Sequence, residues 1–93
     1  LDRNARLWAR RLDTEPGYET PDLPAVCAVR DGRPYADARR NRLYIHRLQT
    51  EDDHIALAHE YVHLAFQHHP RGQDEAFVER TARALIRSDW SSQ

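Results

Sequence analysis

Leu1, Ala5, Trp8 and Leu12 recur at helical spacing, with Arg3, Arg6, Arg10 and Arg11 on the remaining surface, so residues 1–12 read as an amphipathic helix. Between Asp13 and Pro24 the periodicity vanishes. Pro16, Gly17, Pro21 and Pro24 forbid a long regular element there and predict a loop wrapping the domain. Ala25 to Arg30 carries two valines and stops at the turn signal Asp31-Gly32, which predicts a strand. Arg33 to Arg40 is polar and contains Pro34. Arg42 to Leu48 then mixes β-branched and aromatic residues with charge and reads as a second strand, expected to pair antiparallel with the first.

The second half of the chain is helical. Thr50 with Asp53 three residues on, and Glu51 and Asp52 between them, is a capping-box-like start with acidic groups at the positive end of a helix dipole. The helix should run from about Asp52 to His68. Pro70 and Gly72 break it, and Asp74 to Arg87 forms another helical pattern before the polar tail Ser91, Ser92, Gln93. So short a connection implies an antiparallel helix hairpin. The predicted architecture is α+β in a single domain over residues 1–93: an N-terminal helix, a short antiparallel sheet, then the helix pair.

Composition narrows the function classes. The chain has 93 residues, 40% hydrophobic and 31% charged, which is a globular balance, and no apolar run approaches the roughly 20 residues of a membrane span. Its formal net charge is −1, so it lacks the basic field that holds a polyanion, and nucleic acid is not an expected partner. The chain opens at Leu1 without an initiator Met or a leader and reads as a piece of a longer protein whose other domains are candidate partners. Cys27 is alone, which excludes an internal disulfide and a Cys-rich zinc ribbon; it reads as a buried apolar residue in a strand, with a reactive thiol as the alternative. All 14 basic residues are Arg, and five of the six His fall between residues 54 and 69.

That cluster divides by helical phase. His59-Glu60-Tyr61-Val62-His63 is an HExxH sequence: residues four apart share a helix face one turn apart, so both imidazoles can reach one ion while Glu60 lies beside them. Ile55, Ala58, Val62, Ala65 and Phe66 lie to one side of this stripe, and Leu57, Tyr61 and Leu64 lie behind it. A helix so apolar belongs in the core, where each polar group left without a partner costs about 1–3 kcal/mol. A bound metal removes that conflict. His54, His68 and His69 fall elsewhere by phase and read as structural or surface residues.

A catalytic zinc needs a third protein ligand and an open position for water. No third His follows at short spacing. Glu75 and Glu79 instead lie four apart on the returning helix, sharing a stripe with Val78, Ala82, Leu85 and Ile86 that turns both toward the buried side. Counting turns at 1.5 Å per residue from the hairpin puts Glu75 level with His63 and Glu79 level with His59. Glu75 is therefore assigned as third ligand, and Glu79 as acceptor for the N–H of a ligating His, with the two roles exchangeable. The alternative is that both are solvated charges paired with Arg80 or Arg83.

Leu57 to Ala84 resembles the gluzincin branch of zinc metallopeptidases, in which HExxH on one helix is completed by a Glu from a following helix. More narrowly, the chain resembles the carboxy-terminal domain of a family of uncharacterised bacterial predicted secreted proteins. The resemblance implies a zincin-like fold, an acidic residue four positions after the third ligand, as Glu79 is after Glu75, and an edge strand lining the cleft, a role open to Arg42 to Leu48. It also implies a secreted or periplasmic location. The chain departs from the gluzincin pattern in the short interval from His63 to Glu75 and in having no His or Tyr after Glu79 to stabilise an oxyanion.

The leading expectation is hydrolysis of a peptide or protein substrate, with Zn2+ on His59, His63 and Glu75 and with Glu60 as general base. Tyr44, His46, Tyr18 and Tyr35 are the available oxyanion donors, the Tyr44/His46 strand foremost, with plain packing as the alternative role for each. The exposed arginines Arg33, Arg39, Arg40, Arg42 and Arg47 could select acidic or C-terminal carboxylate groups. Two other readings are a non-catalytic, zinc-stabilised binding or regulatory module and a metal-free helical interaction domain.

Overall fold

In the computed structural model, which describes residues 2–91, Trp8 fixes the first helix. Helix α1 (Asp2–Leu12) buries Trp8 completely and sets its ring 5.0 Å from that of Tyr61, tilted by 60°, while Leu12 closes the far end. Leu1, expected on the same stripe, lies outside the described residues, as do Ser92 and Gln93 of the expected polar tail. The proline-containing loop does wrap the domain. Gly17 takes a positive φ of 89°, and any side chain there would collide with the His69 ring. The Glu19 N–H then donates to the Ala65 carbonyl at 3.0 Å, tying the loop to the end of the core helix.

The fold is α+β, but its sheet corrects two expectations. Strand β1 (Ala25–Ala28) pairs with β3 (Arg42–Ile45) in parallel, with Ala25 opposite Arg42 and Ala28 opposite Ile45. The antiparallel partner of β3 is a strand that the sequence reading missed, β2 (Tyr35–Asp37), and the sheet order is β1-β3-β2. The reason is local. Asp37 Oδ1 accepts the Arg40 N–H at 3.2 Å and Asn41 sits in the left-handed region at φ 54°, so the segment after Asp37 closes a tight turn and claims one edge of β3. The first strand is left with the other edge. Both expected strands are also shorter than their hydrophobic runs. Leu43 and Ile45 alternate inward against the helices, and Tyr44 turns away. Cys27 is half-buried on β1 rather than buried, because this edge strand is exposed along most of its length.

Helix α2 (Glu51–Ala65) is the spine of the core, with Ile55, Leu57, Ala58, Tyr61, Val62 and Leu64 all buried. Its start is the expected capping box: Thr50 Oγ1 accepts the Asp53 N–H at 3.1 Å, while Asp53 Oδ2 accepts the N–H groups of Gln49 and Thr50 at 2.9 Å. Those backbone donors hold the Asp53 carboxyl below the usual carboxylate range. The helix stops at Ala65, short of His68, since Pro70 forces His69 into an extended conformation (φ −131°, ψ 144°). A 3₁₀ turn over Pro70–Gln73 leads into α3 (Glu75–Ser91). The helices are antiparallel, because each step of four back along α2 is matched by a step of four forward along α3. His63 meets Glu75, and His59 meets Glu79.

Candidate metal centre

Two local devices bring three side chains to one point. On α2, His59 and His63 lie one turn apart and meet edge to face, with ring centroids 4.9 Å apart and their Nε2 atoms 3.2 Å apart. Across the hairpin, Asp74 Oδ1 accepts the N–H groups of Ala76 and Phe77 at 3.1 and 3.3 Å. That cap starts α3 at Glu75 and aims its first turn at the histidines. Glu75 places Oε2 3.1 Å from His59 Nε2 and Oε1 3.2 Å from His63 Nε2.

The opposite ring nitrogens are held from behind. His63 Nδ1 lies 2.8 Å from the Gly72 carbonyl and His59 Nδ1 lies 2.8 Å from Glu79 Oε2. A carbonyl and a carboxylate only accept, so both Nδ1 atoms carry the hydrogen and each neutral imidazole turns a lone pair inward through Nε2. Two imidazole lone pairs and a carboxylate thus converge, and they repel unless a proton or a cation stands among them. A tetrahedral zinc with bonds of roughly 2.0–2.1 Å spaces its ligand atoms by about 3.3 Å, close to the separations of this group. The donor set fits that ion. Among the described residues, His59, His63 and Glu75 are the group of His, Cys, Asp or Glu whose ligand atoms all lie within 4.8 Å of one another.

The two glutamates are not buried as expected. The Glu75 side chain is 71% exposed and that of Glu79 39%, because the first turns of α3 stand at the rim while Val78 and Ala82 take the buried stripe. The site is open. Glu79 also meets the alternative expectation, since its Oε1 pairs with Arg83 Nε at 2.7 Å while its Oε2 holds His59. The Gly72 carbonyl was not read from the sequence as a site component.

Among the described residues Glu60 is the buried charged one, 8% exposed, and burial foremost pushes its carboxyl above the ordinary glutamate range, with His59 and His63 opposing the rise and Glu75 adding to it. Together with His63 it lines a cavity of about 300 Å3 whose other walls include Tyr35, Ala36, Gln67 and Gln73. A second cavity of about 300 Å3 takes in His59, Glu79, Arg83 and Asp52. The edge strand beside Glu60 is therefore β2, and the central strand β3 cannot fill the role expected for Arg42 to Leu48.

The oxyanion donors expected on that strand face elsewhere. Tyr44 stacks on Tyr35 at 4.5 Å and accepts from Arg42 Nη1 at 3.4 Å, and His46 Nδ1 lies 3.0 Å from the Val29 carbonyl. Both alternate with Leu43 and Ile45, so they stand on the sheet face turned away from α2. Tyr18 packs against Phe66 and meets the Tyr61 hydroxyl at 3.5 Å, behind the helix. Of the four aromatics, Tyr35 lines the Glu60 cavity. The other histidines have structural partners or lie in solvent: His54 Nδ1 meets the Thr50 carbonyl at 2.8 Å, His69 Nδ1 accepts the Arg71 N–H at 3.1 Å, and His68 is exposed.

Gly72 gives a direct test of the support behind His63. A Cβ at this position would stand 2.9 Å from the Phe66 carbonyl carbon and closer still to its oxygen, both rigid backbone atoms. Gly72→Ala should destabilise the chain by about 1–3 kcal/mol in denaturant titrations, the cost of forcing a methyl into a packed site. Unchanged stability would show that the turn is looser than these contacts require.

Residues 1–71 match the family described as "Predicted secreted protein (DUF2300)", a span that contains His59, Glu60 and His63 and stops before Glu75 and Glu79. Over 86 residues, 92% of the chain, the sequence is 44% identical to the uncharacterized protein YfaQ of Escherichia coli (strain K12), of which it covers 16%. The chain thus spans about a sixth of that relative's length. No solved structure gives a significant match. Matched over most of its length by one, and strongly similar to the other, the chain belongs to this family of predicted secreted proteins.

Proposed function

We propose that the chain is a zinc-binding domain that hydrolyses peptide bonds. The observation that carries this reading is the convergence of two imidazole Nε2 atoms and the Glu75 carboxylate, each imidazole fixed in its Nδ1–H form by an acceptor behind it. His59, His63 and Glu75 would hold the ion, which when bound acidifies water and polarises a carbonyl.

The remaining steps belong to the chain. The Glu60 carboxylate takes a proton from the attacking water as oxygen bonds to the peptide carbon, then passes it to the amine nitrogen as the carbon–nitrogen bond breaks. Burial suits it to this exchange by bringing its proton affinity closer to that of water held at the site. Glu79 keeps the His59 hydrogen on Nδ1, and Gly72 does the same for His63. Strand β2 pairs with β3 alone, which leaves its outer backbone edge beside the Glu60 cavity as a template for an extended peptide. The exposure of Glu75 leaves room for substrate next to the ligands.

Metal-stripped protein equilibrated with zinc and dialysed should retain one equivalent by elemental analysis, and the loaded chain should cleave members of a peptide library. Failure to retain zinc removes the reading altogether. Zinc retention without cleavage would replace it with a zinc-stabilised binding module.

A further inference from the structure

The 3₁₀ turn over Pro70–Gln73 supplies the Gly72 carbonyl behind His63, yet Gly72 is its one buried residue. Gly72 has no side chain, and Pro70 and Gln73 are exposed, so packing of the turn's own apolar groups against the core cannot fix its position. The side chain that ties it down is Arg71. Its Nη1 donates to the Pro16 carbonyl at 3.1 Å and to Glu15 Oε2 at 3.3 Å, and its Cζ lies over the Phe77 ring, 4.0 Å from the centroid. The guanidinium is thus engaged within the protein, and it draws the turn onto the wrapping loop and α3.

The loop is a firm anchor. Its Glu19 N–H donates to the Ala65 carbonyl at 3.0 Å, the Tyr18 ring lies 5.8 Å from that of Phe66, and Gly17 approaches the His69 ring so closely that no side chain fits between them. His69 Nδ1 in turn accepts the Arg71 N–H at 3.1 Å. From Arg71 the backbone leads to two of the three converging side chains. Its carbonyl accepts the N–H of Asp74 at 3.1 Å, the residue whose carboxylate caps the start of α3 at Glu75. The carbonyl of the next residue, Gly72, lies 2.8 Å from His63 Nδ1. A shift of the turn by about 1 Å would carry that contact out of hydrogen-bond range.

We infer that Arg71 is a positioning residue: by clamping the 3₁₀ turn to the wrapping loop, it sets the Gly72 carbonyl that keeps the His63 hydrogen on Nδ1 and the Nε2 lone pair turned toward Glu75. Its consequence for zinc rests on the metal reading proposed above, whereas its consequence for the His63 hydrogen does not. One variant reads both. Arg71→Met keeps an apolar stem against Phe77 and removes the bonds to Pro16 and Glu15. In the metal-free chain at about pH 8, where imidazoles are neutral, nitrogen NMR of the rings should find the His63 hydrogen on Nδ1. In Arg71→Met that hydrogen should be shared with Nε2, while His59, held by Glu79, should be unchanged. Zinc affinity should fall about tenfold, the low end of the cost of disturbing a group behind a ligand, and Arg71→Lys, which still offers an N–H to the Pro16 carbonyl, should recover it to within about threefold. Gly17→Ala pushes the loop off the His69 ring with Arg71 in place; it should shift the His63 hydrogen in the same sense, and it carries the test if Arg71→Met does not fold. A folded Arg71→Met chain with the His63 hydrogen still on Nδ1, whatever its stability, or with both histidines disturbed equally, would overturn the assignment. A displaced His63 hydrogen in a chain that retains no zinc would uphold it and remove the metal reading alone.

Discussion

Glu60→Gln is expected to lower kcat/KM for peptide hydrolysis by about 10²–10⁴-fold, the range of a lost general base, while the zinc content stays at one equivalent. Gln has nearly the shape of Glu and can still accept a hydrogen bond, but its amide cannot take a proton from water at neutral pH. The fold should not suffer. Glu60 is 8% exposed, and ionising a carboxyl that burial holds above its ordinary range works against the folded state, so the neutral amide should unfold at the same temperature or higher. The pH profile adds a second check. The base works only when ionised and the ligand histidines only when unprotonated, so hydrolysis by the unsubstituted chain should fall away with acid. Cleavage that survives the substitution, with one zinc still bound, would falsify the role given to Glu60 and leave the ion as a structural element.

The helical half of the molecule was legible in the sequence because its signals are local. Thr50 and Asp53 announce a helix start within one turn, and the interval from His63 through Pro70 and Gly72 to Glu75 fixes the hairpin register by counting residues along two rods. The same count put Glu75 level with His63 and Glu79 level with His59, as observed. It could not say how far each helix rolls about its axis, and so it left Glu75 on the buried side when the side chain is 71% exposed.

The sheet was less legible for a different reason. Strand pairing joins residues far apart in the chain, and nothing in Ala25 to Arg30 names its partner. The clue lay in Asp37 and Asn41, a short side chain that accepts a backbone N–H and a residue tolerant of positive φ, which together close the β2–β3 turn. Once that turn is recognised, β3 has one free edge and β1 must take it. The misplaced oxyanion donors follow from the same gap. Without a register, Tyr44 and His46 could not be assigned a face, and the alternation set by Leu43 and Ile45 turns them away from Glu60.

His63→Ala should lower zinc affinity by about 10²–10⁴-fold. Small zinc sites at neutral pH bind with about 10–16 kcal/mol, and losing one of three protein ligands removes a comparable fraction of it. Alanine is the strongest helix former and His63 is only half-buried, so α2 should survive the change. This permits a readout that does not depend on catalysis. At a zinc concentration 100 times its dissociation constant, the unsubstituted chain should gain about 2.7 kcal/mol of stability and lose it again on adding a chelator, whereas His63→Ala should gain no more than about 0.4 kcal/mol from the same zinc. The two glutamates should separate in the same assay. Glu75→Gln removes the carboxylate that meets both Nε2 atoms and should match the loss at His63. Glu79→Gln leaves an amide oxygen to accept the His59 Nδ1–H, and it should cost only the 10–100-fold typical of a residue acting behind a ligand. The reverse order would make Glu79 the ligand and Glu75 its support, and equal zinc affinity in all three variants would remove the metal from this site.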